Sequence, residues 1–472
     1  MATISPFRGV VYNPEKINNF ASVVTPPFDV ISEEDQQKAY DRHPQSIIRL
    51  ILGKKTESDT SENNPFTRAA GFFSEWLSKD ILVQDKLPSF YLTSVEFSFE
   101  NKPIIRWGFI TLVALEPFEK GIVIPHERTF SKVKSERLEL IKACRANFSP
   151  IFSMYSDQQN EILNLLKDAV SGKKPDIDFV DNKDQCHKLW RITDVNIHQR
   201  VPEAMQAKKI FIADGHHRYE TALNYRNWLQ KNITDFSSDH PANYVMMYLS
   251  SMEDPGVIIL PAHRMLNEVS ATDRAALIQK AADYFEIVKI PFENDVRENA
   301  RIEFIAMLRS NTSKTNIGIF MKDRQKFYLL KLKGNVMEKV LEDEVSESLR
   351  DLDVTVLTRL IFMKILGFDQ VRLDNEKLIA YSSSDQEAVE AVAAGRHDIA
   401  FILNPTKIEQ VRRIAEEGRV MPRKGTYFYP KVITGLVLNK LQNVSVCLRS
   451  RKAIRLRRIN HRNTFSISRI KI

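Results

Sequence analysis

Glycine is scarce in this chain, with 15 among 472 residues, and the sequence contains neither G-x-G-x-x-G nor a complete G-x-x-x-x-G-K-[ST]. The usual glycine cradles for nucleotide phosphates are therefore excluded, and any phosphate site must be built by another device. Gly53-Lys54 resembles the end of a phosphate loop, but the upstream glycine is missing. Cysteine is rarer still: Cys144, Cys186 and Cys447 are scattered, so neither a disulfide framework nor a CxxC metal site is present. No run reaches 18 apolar residues, which excludes a membrane-spanning helix. No basic start followed by an apolar block opens the chain, so the expectation is a cytoplasmic protein.

Acidic residues are absent from 443–472, where there are nine Lys or Arg, so the net charge of +8 leaves −1 for everything before. The excess positive charge describes a tail, and most of the argument from composition for a nucleic-acid partner goes with it. What remains, 43% hydrophobic and 27% charged, is ordinary for a soluble globular protein. The length calls for two or three domains.

Against that background one stretch stands out, Lys209 to Leu229, KIFIADGHHRYETALNYRNWL. Ile210 to Ala213 is a short apolar run of the kind a buried strand uses, and Asp214-Gly215 ends it. Tyr219, Ala222, Leu223, Trp228 and Leu229 then recur at helical spacing. The prediction is strand, tight turn, helix, with Asp214, Gly215, His216, His217 and Arg218 at the junction. Asp-Gly is a common turn pair and Asp a favoured N-cap, which accounts for two of the five residues. His-His-Arg has no such explanation. Helix-start N–H groups favour anions, Arg218 can grip phosphate oxygens, Asp214 can hold magnesium or take a proton, and either histidine can move one.

A second cluster, His126-Glu127-Arg128-Thr129, follows a short strand predicted over Gly121–Pro125. Phe130 stands where a zinc-protease motif needs its second histidine, so that reading is excluded. A helix carrying Arg137 and Arg145 is predicted next, ending at Asn147-Phe148-Ser149-Pro150. His126, Glu127, Thr129 and Asn147 are candidate site residues because polar groups between strand and helix are a usual ligand position in α/β architecture. His263 and Arg264, at a strand end, can face the same site or form a local pair. Arg423, Lys424, Thr426, Tyr427, Tyr429 and Lys431 combine cations, hydroxyls and aromatics suited to closing over a nucleotide, or form an exposed end.

The pattern is mixed α/β (α+β). Hairpins are expected over Tyr91–Leu115, Asn243–Leu266 and Ile317–Leu332, a largely helical stretch over Val336–Leu366, and a βαβα segment over Leu378–Glu416. The expected organisation is an N-terminal α/β region (1–115), a putatively catalytic region (116–266), a C-terminal α/β domain (267–441) and a basic tail (442–472).

The strand–Asp-Gly-His-His-Arg–helix element resembles the phosphate-binding turn of the ParB/sulfiredoxin fold, in the form used by free-serine kinases. The chain also resembles an uncharacterised family, domain of unknown function 1015. Four blocks carry that likeness: Pro26-Pro27-Phe28-Asp29-Val30-Ile31; Pro125-His126-Glu127 with Thr129, Asn147 and Ser149-Pro150; Asp214 to Tyr219; and Met421-Pro422 through Lys431. A serine often stands in that family where this chain has Gly425, which leaves the role of that position open. The resemblance implies a ParB/sulfiredoxin-like catalytic core and a phosphotransferase acting between a nucleotide (ATP, ADP or CTP) and a small polar, hydroxylated metabolite such as serine, with magnesium as a candidate cofactor. In that scheme Arg218 and the helix start hold phosphate, Asp214 binds the metal or orients the hydroxyl, a histidine shuttles a proton and Glu127 is the base. A phosphohydrolase, a non-catalytic ParB-like nucleotide-binding protein and a metal-dependent hydrolase using His216, His217 and Asp214 stay open, as does a homo-oligomer. No membrane partner is expected.

Overall fold

The computed structural model describes residues 1–441 except 128–130, 235, 294–295, 311–314, 323, 342–344, 351 and 376, with the side chains of 131–134 also excluded. The basic tail and Thr129 therefore lie outside the described residues. The architecture is mixed α/β, built on two large sheets with helices packed on them.

The first sheet has nine strands: β1 (Ile4–Ser5), β2 (Phe90–Phe99), β3 (Lys102–Ala114), β4 (Val123–Ile124), β5 (Ile151–Tyr155), β6 (Ile177–Val180), β7 (Cys186–Ile192), β8 (Ile210–Asp214) and β9 (Tyr244–Ser251). Their order is β4-β8-β5-β9-β3-β2-β7-β6, with β1 added to the end of β3. The expected β2–β3 hairpin forms, and Glu100 and Asn101 at its tip take φ of 49° and 60°, as a tight hairpin turn requires. β8 is buried on both faces, which explains its unbroken apolar run. Phe211 and Ala213 join one core, while Ile210 and Ile212 join the core on the other side.

The second sheet comprises β10 (His263–Leu266), β11 (Phe285–Pro291), β12 (Asn316–Met321), β13 (Lys326–Leu332), β14 (Ile379–Ser382) and β15 (Ile399–Leu403), ordered β11-β13-β12-β15-β10-β14. Every pairing in it is antiparallel. The βαβα segment exists, yet β14 and β15 do not touch: β10 lies between them, antiparallel to both. The hairpin expected over Asn243–Leu266 is corrected. β9 belongs to the first sheet, β10 to the second, and Ile258–Leu260 between them pairs with Tyr427–Tyr429. Two apolar runs separated by a turn pattern cannot say whether they pair with each other or with more distant strands.

The helical stretch after Val336 is broken into short pieces, and Leu357–Ile365 winds as a π-helix. Past it the chain returns to the first sheet. Phe428, Val432, Ile433 and Leu436–Leu438 are part of that sheet's core, and Asn439–Lys440 pairs with Ala146–Asn147. This return brings the Met421–Lys431 stretch to the end of β8.

Candidate active site at the end of strand β8

Helix α1 (Ser131–Cys144) and helix α2 (His216–Asn232) pack side by side near the end of β8. The turn between β8 and α2 is set by Gly215, which caps the helix at φ 98°, a conformation that L side chains rarely adopt. A Cβ there would also come within 2.9 Å of the Arg218 guanidinium. Just before the turn the register of β8 against β5 slips: Ile212 faces Ser153 and Asp214 faces Phe152, leaving Ala213 as an extra residue. Such a bulge at a strand end re-aims the following side chain. Asp214 is consequently not the helix cap that the Asp-Gly pair by itself allows.

Asp214 sits between two cations. Its Oδ1 accepts from Lys431 Nζ at 2.8 Å and its Oδ2 from Arg218 Nη2 at 2.5 Å. Burial alone would raise its carboxyl, but Lys431 and Arg218 outweigh burial and hold it well below the usual carboxylate range. The ammonium of Lys431 is held above its ordinary value because Asp214 outweighs the cost of burial, and it lies 4.6 Å from the Tyr427 ring centre. Arg218 also donates through Nη1 to the Pro150 carbonyl. Its guanidinium is thus engaged by protein at both terminal nitrogens and helps fix Asp214.

The two motif histidines part company. His216 is buried, and its Nε2 accepts from the His126 backbone N–H at 3.2 Å. Burial, reinforced by neighbouring His126, keeps its pKa well below the ordinary value, so it is neutral at pH 7. His126 is 1% exposed, and burial lowers its pKa to about 4. A neutral ring whose Nδ1 lies 2.6 Å from the Ile212 carbonyl must carry its proton there, so Nε2 accepts from Thr426 Oγ1 at 3.0 Å. Every polar atom of the His126 ring is therefore bonded within the protein. Both histidines help tie β8, α2 and the 421–431 segment together. Met421 N–H, donating to the His126 carbonyl at 2.7 Å, completes the tie. His217 is half-buried.

Glu127 behaves differently. It is half-buried, and among the described residues no hydrogen bond or ion pair engages its carboxylate. Burial first, then the negative charge of Asp214, push its pKa up to about 7, against the opposing pull of Lys431 and of exposed Lys424. Asp29, on the Pro26–Ile31 block, feels the same field. Burial and then Asp214 raise its carboxyl, against the opposing pull of Arg218 and Lys431. Three carboxylates and the cations Lys431, Arg218 and Lys424 thus converge, contributed by segments from Asp29 to Lys431.

His263 and Arg264 do not join this cluster. His263 accepts from Leu403 N–H and burial lowers its pKa to about 3, while Arg264 binds the carbonyls of Ala262, Arg423 and Lys424. Both are buried. Asn147 accepts from Asn439 Nδ2 and lines a cavity beside α2. Gly425 lies in a turn where a Cβ would meet the Pro422 carbonyl oxygen at 2.8 Å, so this loop is shaped around glycine and a serine does not fit it as it stands. Asp29 had no role assigned from sequence, and Lys431 was expected only as one of several residues closing over a nucleotide, not as the partner of Asp214. Both stand in the blocks that carry the family resemblance, and that was the available signal. A magnesium site held by protein alone does not suit the donor set. Both oxygens of Asp214 are taken, and among the described residues no three His, Cys, Asp or Glu side chains group as ligands.

The chain belongs to the family described as "Protein of unknown function (DUF1015)", whose profile matches residues 4–355. Three of the four blocks fall within that span, and the fourth, Met421–Lys431, reaches the site from beyond it. No curated protein matches. Among solved structures, the chain is similar to a conserved hypothetical protein from Pyrococcus furiosus (12% identity, TM-score 0.32, covering 70% of this chain and 95% of that one). A free serine kinase in complex with AMP matches at 12% identity and TM-score 0.31, covering 68% and 86%. SbnI with a C-terminal truncation, from Staphylococcus aureus, matches at 10% and 0.33, covering 75% and 94%. At these values no residue role passes from those proteins to this chain, and the site is read from its own chemistry.

Proposed function

We propose that the protein is a phosphotransferase that moves a phosphoryl group between a nucleotide and a small hydroxylated metabolite, with serine the first acceptor to test. The observation that carries this reading is Glu127: an unengaged carboxyl with a pKa of about 7, set beside the Asp214–Lys431 pair. A general base works best with a pKa near the working pH. Glu127 takes the proton of the acceptor hydroxyl as its oxygen forms the new P–O bond, and the bond to the nucleotide's leaving oxygen breaks. Lys424, exposed on the 421–431 loop, supplies positive charge to the phosphates. The α2 start adds N–H groups and its dipole. Asp214 fixes Lys431, and His217 is the remaining candidate for moving a proton. The likeness of the Asp214–Arg218 turn to that of free-serine kinases supports the same chemistry. No step is assigned to a metal.

The test is phosphorus NMR of the protein with ATP, ADP or CTP, with and without serine. A new phosphomonoester signal that requires both nucleotide and acceptor is expected. Glu127→Gln should lower kcat by about a hundredfold or more and remove a pH dependence centred near 7. Inorganic phosphate released without acceptor would make the site a hydrolase, and unaltered turnover in both Asp214→Asn and His217→Ala would remove the mechanism.

A further inference from the structure

The second sheet supplies no group to the phosphoryl-transfer reading, yet side chains from its side of the molecule hold a turn that does. Residues 423–425 carry Lys424, and each of their three carbonyls accepts a hydrogen bond from such a side chain. Arg264, on β10, donates through Nη2 to the Arg423 carbonyl at 3.2 Å and to the Lys424 carbonyl at 3.1 Å. Thr406, just past the end of β15, donates through Oγ1 to the Gly425 carbonyl at 2.8 Å. The flanks of the turn are tied to the residue next to Glu127: Met421 N–H donates to the His126 carbonyl at 2.7 Å, and the Thr426 hydroxyl to the His126 ring at 3.0 Å.

Lys424, in the middle of the turn, takes φ of 53°, a left-handed conformation that a residue with a Cβ adopts only against strain. Such a conformation persists where the surroundings over-determine it, and the three side-chain contacts to the turn do so here. The Lys424 side chain itself is exposed, and its charge reaches the Glu127 carboxyl. Arg264 carries a cost of its own. It is 3% exposed, and among the described residues no carboxylate bonds to it; its donors go to the carbonyls of Ala262, Arg423 and Lys424. Burial lowers its pKa to about 10, which leaves it charged at pH 7. A buried cation without a counter-ion is expensive, and water satisfies the carbonyls of an ordinary surface turn without that expense. What the guanidinium adds is a fixed direction for the turn.

We infer that Arg264 and Thr406 are positioning residues that act through Lys424: by fixing the 423–425 turn they hold its ammonium beside Glu127, where the phosphates bind. The inference rests on the phosphotransferase reading for what Lys424 does, but not for where Lys424 is held. It gives the second sheet a task at a site whose reacting groups lie at the end of the first.

The test is a carbon-13 NMR titration of the Glu127 carboxyl in the full chain, with the signal assigned by its loss in Glu127→Gln. Lys424→Met removes a cation that lowers the Glu127 pKa, so it should raise that pKa by on the order of 0.5. Arg264→Met should raise it similarly, and Thr406→Val, which removes one contact and no charge, by less. Combined with Lys424→Met, neither substitution should raise it further, since a residue acting through Lys424 then has nothing left to position. A native pKa in both Arg264→Met and Thr406→Val, or the same rise with Lys424 already replaced, overturns the inference. Thr406→Val and its combination with Lys424→Met decide it if Arg264→Met fails to fold. In titration calorimetry with ADP, Lys424→Met should weaken binding roughly tenfold, and Arg264→Met should add nothing to that loss. A native protein that does not bind ADP removes the nucleotide reading, while the carboxyl titration still decides whether Arg264 and Thr406 hold Lys424 in place.

Discussion

Replacing Glu127 by glutamine should make the protein more stable at pH 8, although the residue is the proposed base. Burial and the charge of Asp214 disfavour its ionised form and push its pKa up to about 7 in the folded chain, from an ordinary value of 4.5. A raised carboxyl binds more protons folded than unfolded, so stability falls as pH rises from about 4.5 and levels off above about 7. That displacement corresponds to about 3 kcal/mol at full strength, and partial exposure brings the expectation to about 2 kcal/mol. Glutamine keeps the shape and removes the charge. Urea unfolding of native and Glu127→Gln proteins from pH 4.5 to 8.5 should give curves that coincide at the acid end and separate in favour of the variant above pH 7. A constant offset across the range, or a variant less stable at pH 8, would refute the argument, because either result means the native carboxylate is not held under strain. A base kept near neutrality by its surroundings costs stability, and that cost is what the experiment measures.

Three other outcomes follow from the same geometry. Asp214→Asn and Lys431→Met should each destabilise by about 2–4 kcal/mol, since the first leaves Lys431 and Arg218 without their shared carboxylate and the second leaves Asp214 with Arg218 alone, and the double variant should lose about 1–3 kcal/mol less than the sum. Additivity within about 0.5 kcal/mol in a denaturation cycle would mean that the two do not interact. Asp214, held below the usual range, contributes stability that is complete above the ordinary carboxylate pKa and lost only as pH falls through and beneath that range; the acid limb of native and Asp214→Asn melting curves checks the sign. Gly215→Ala should cost about 1–3 kcal/mol, read as a lowered melting temperature, because φ of 98° and the fixed Arg218 guanidinium both oppose a Cβ.

Much of the local structure was written in the chain. The strand–turn–helix of residues 210–232, the 90–114 hairpin and the 316–332 hairpin follow from apolar periodicity and turn residues, which act over a few neighbours. Ser32 caps its helix as its side chain predicts. So, too, was the concentration of chemistry at Asp214–Arg218, since four reactive side chains in five positions exceed what a turn needs.

Which protonation state each side chain around them takes was decided by tertiary structure alone. His216 and His126 look as reactive in sequence as His217 and Glu127. Burial and mutual hydrogen bonding neutralise the first two, while the same low-polarity surroundings lift Glu127 toward neutrality. Lys431 reaches Asp214 across 217 residues, and Arg137 meets Thr221 and Arg218 on one cavity only because α1 and α2 pack together. Sequence pattern reports what each segment tends to do by itself. Protonation state and ion pairing depend on which distant segments share a dielectric environment, and that is set when the sheets and helices come together.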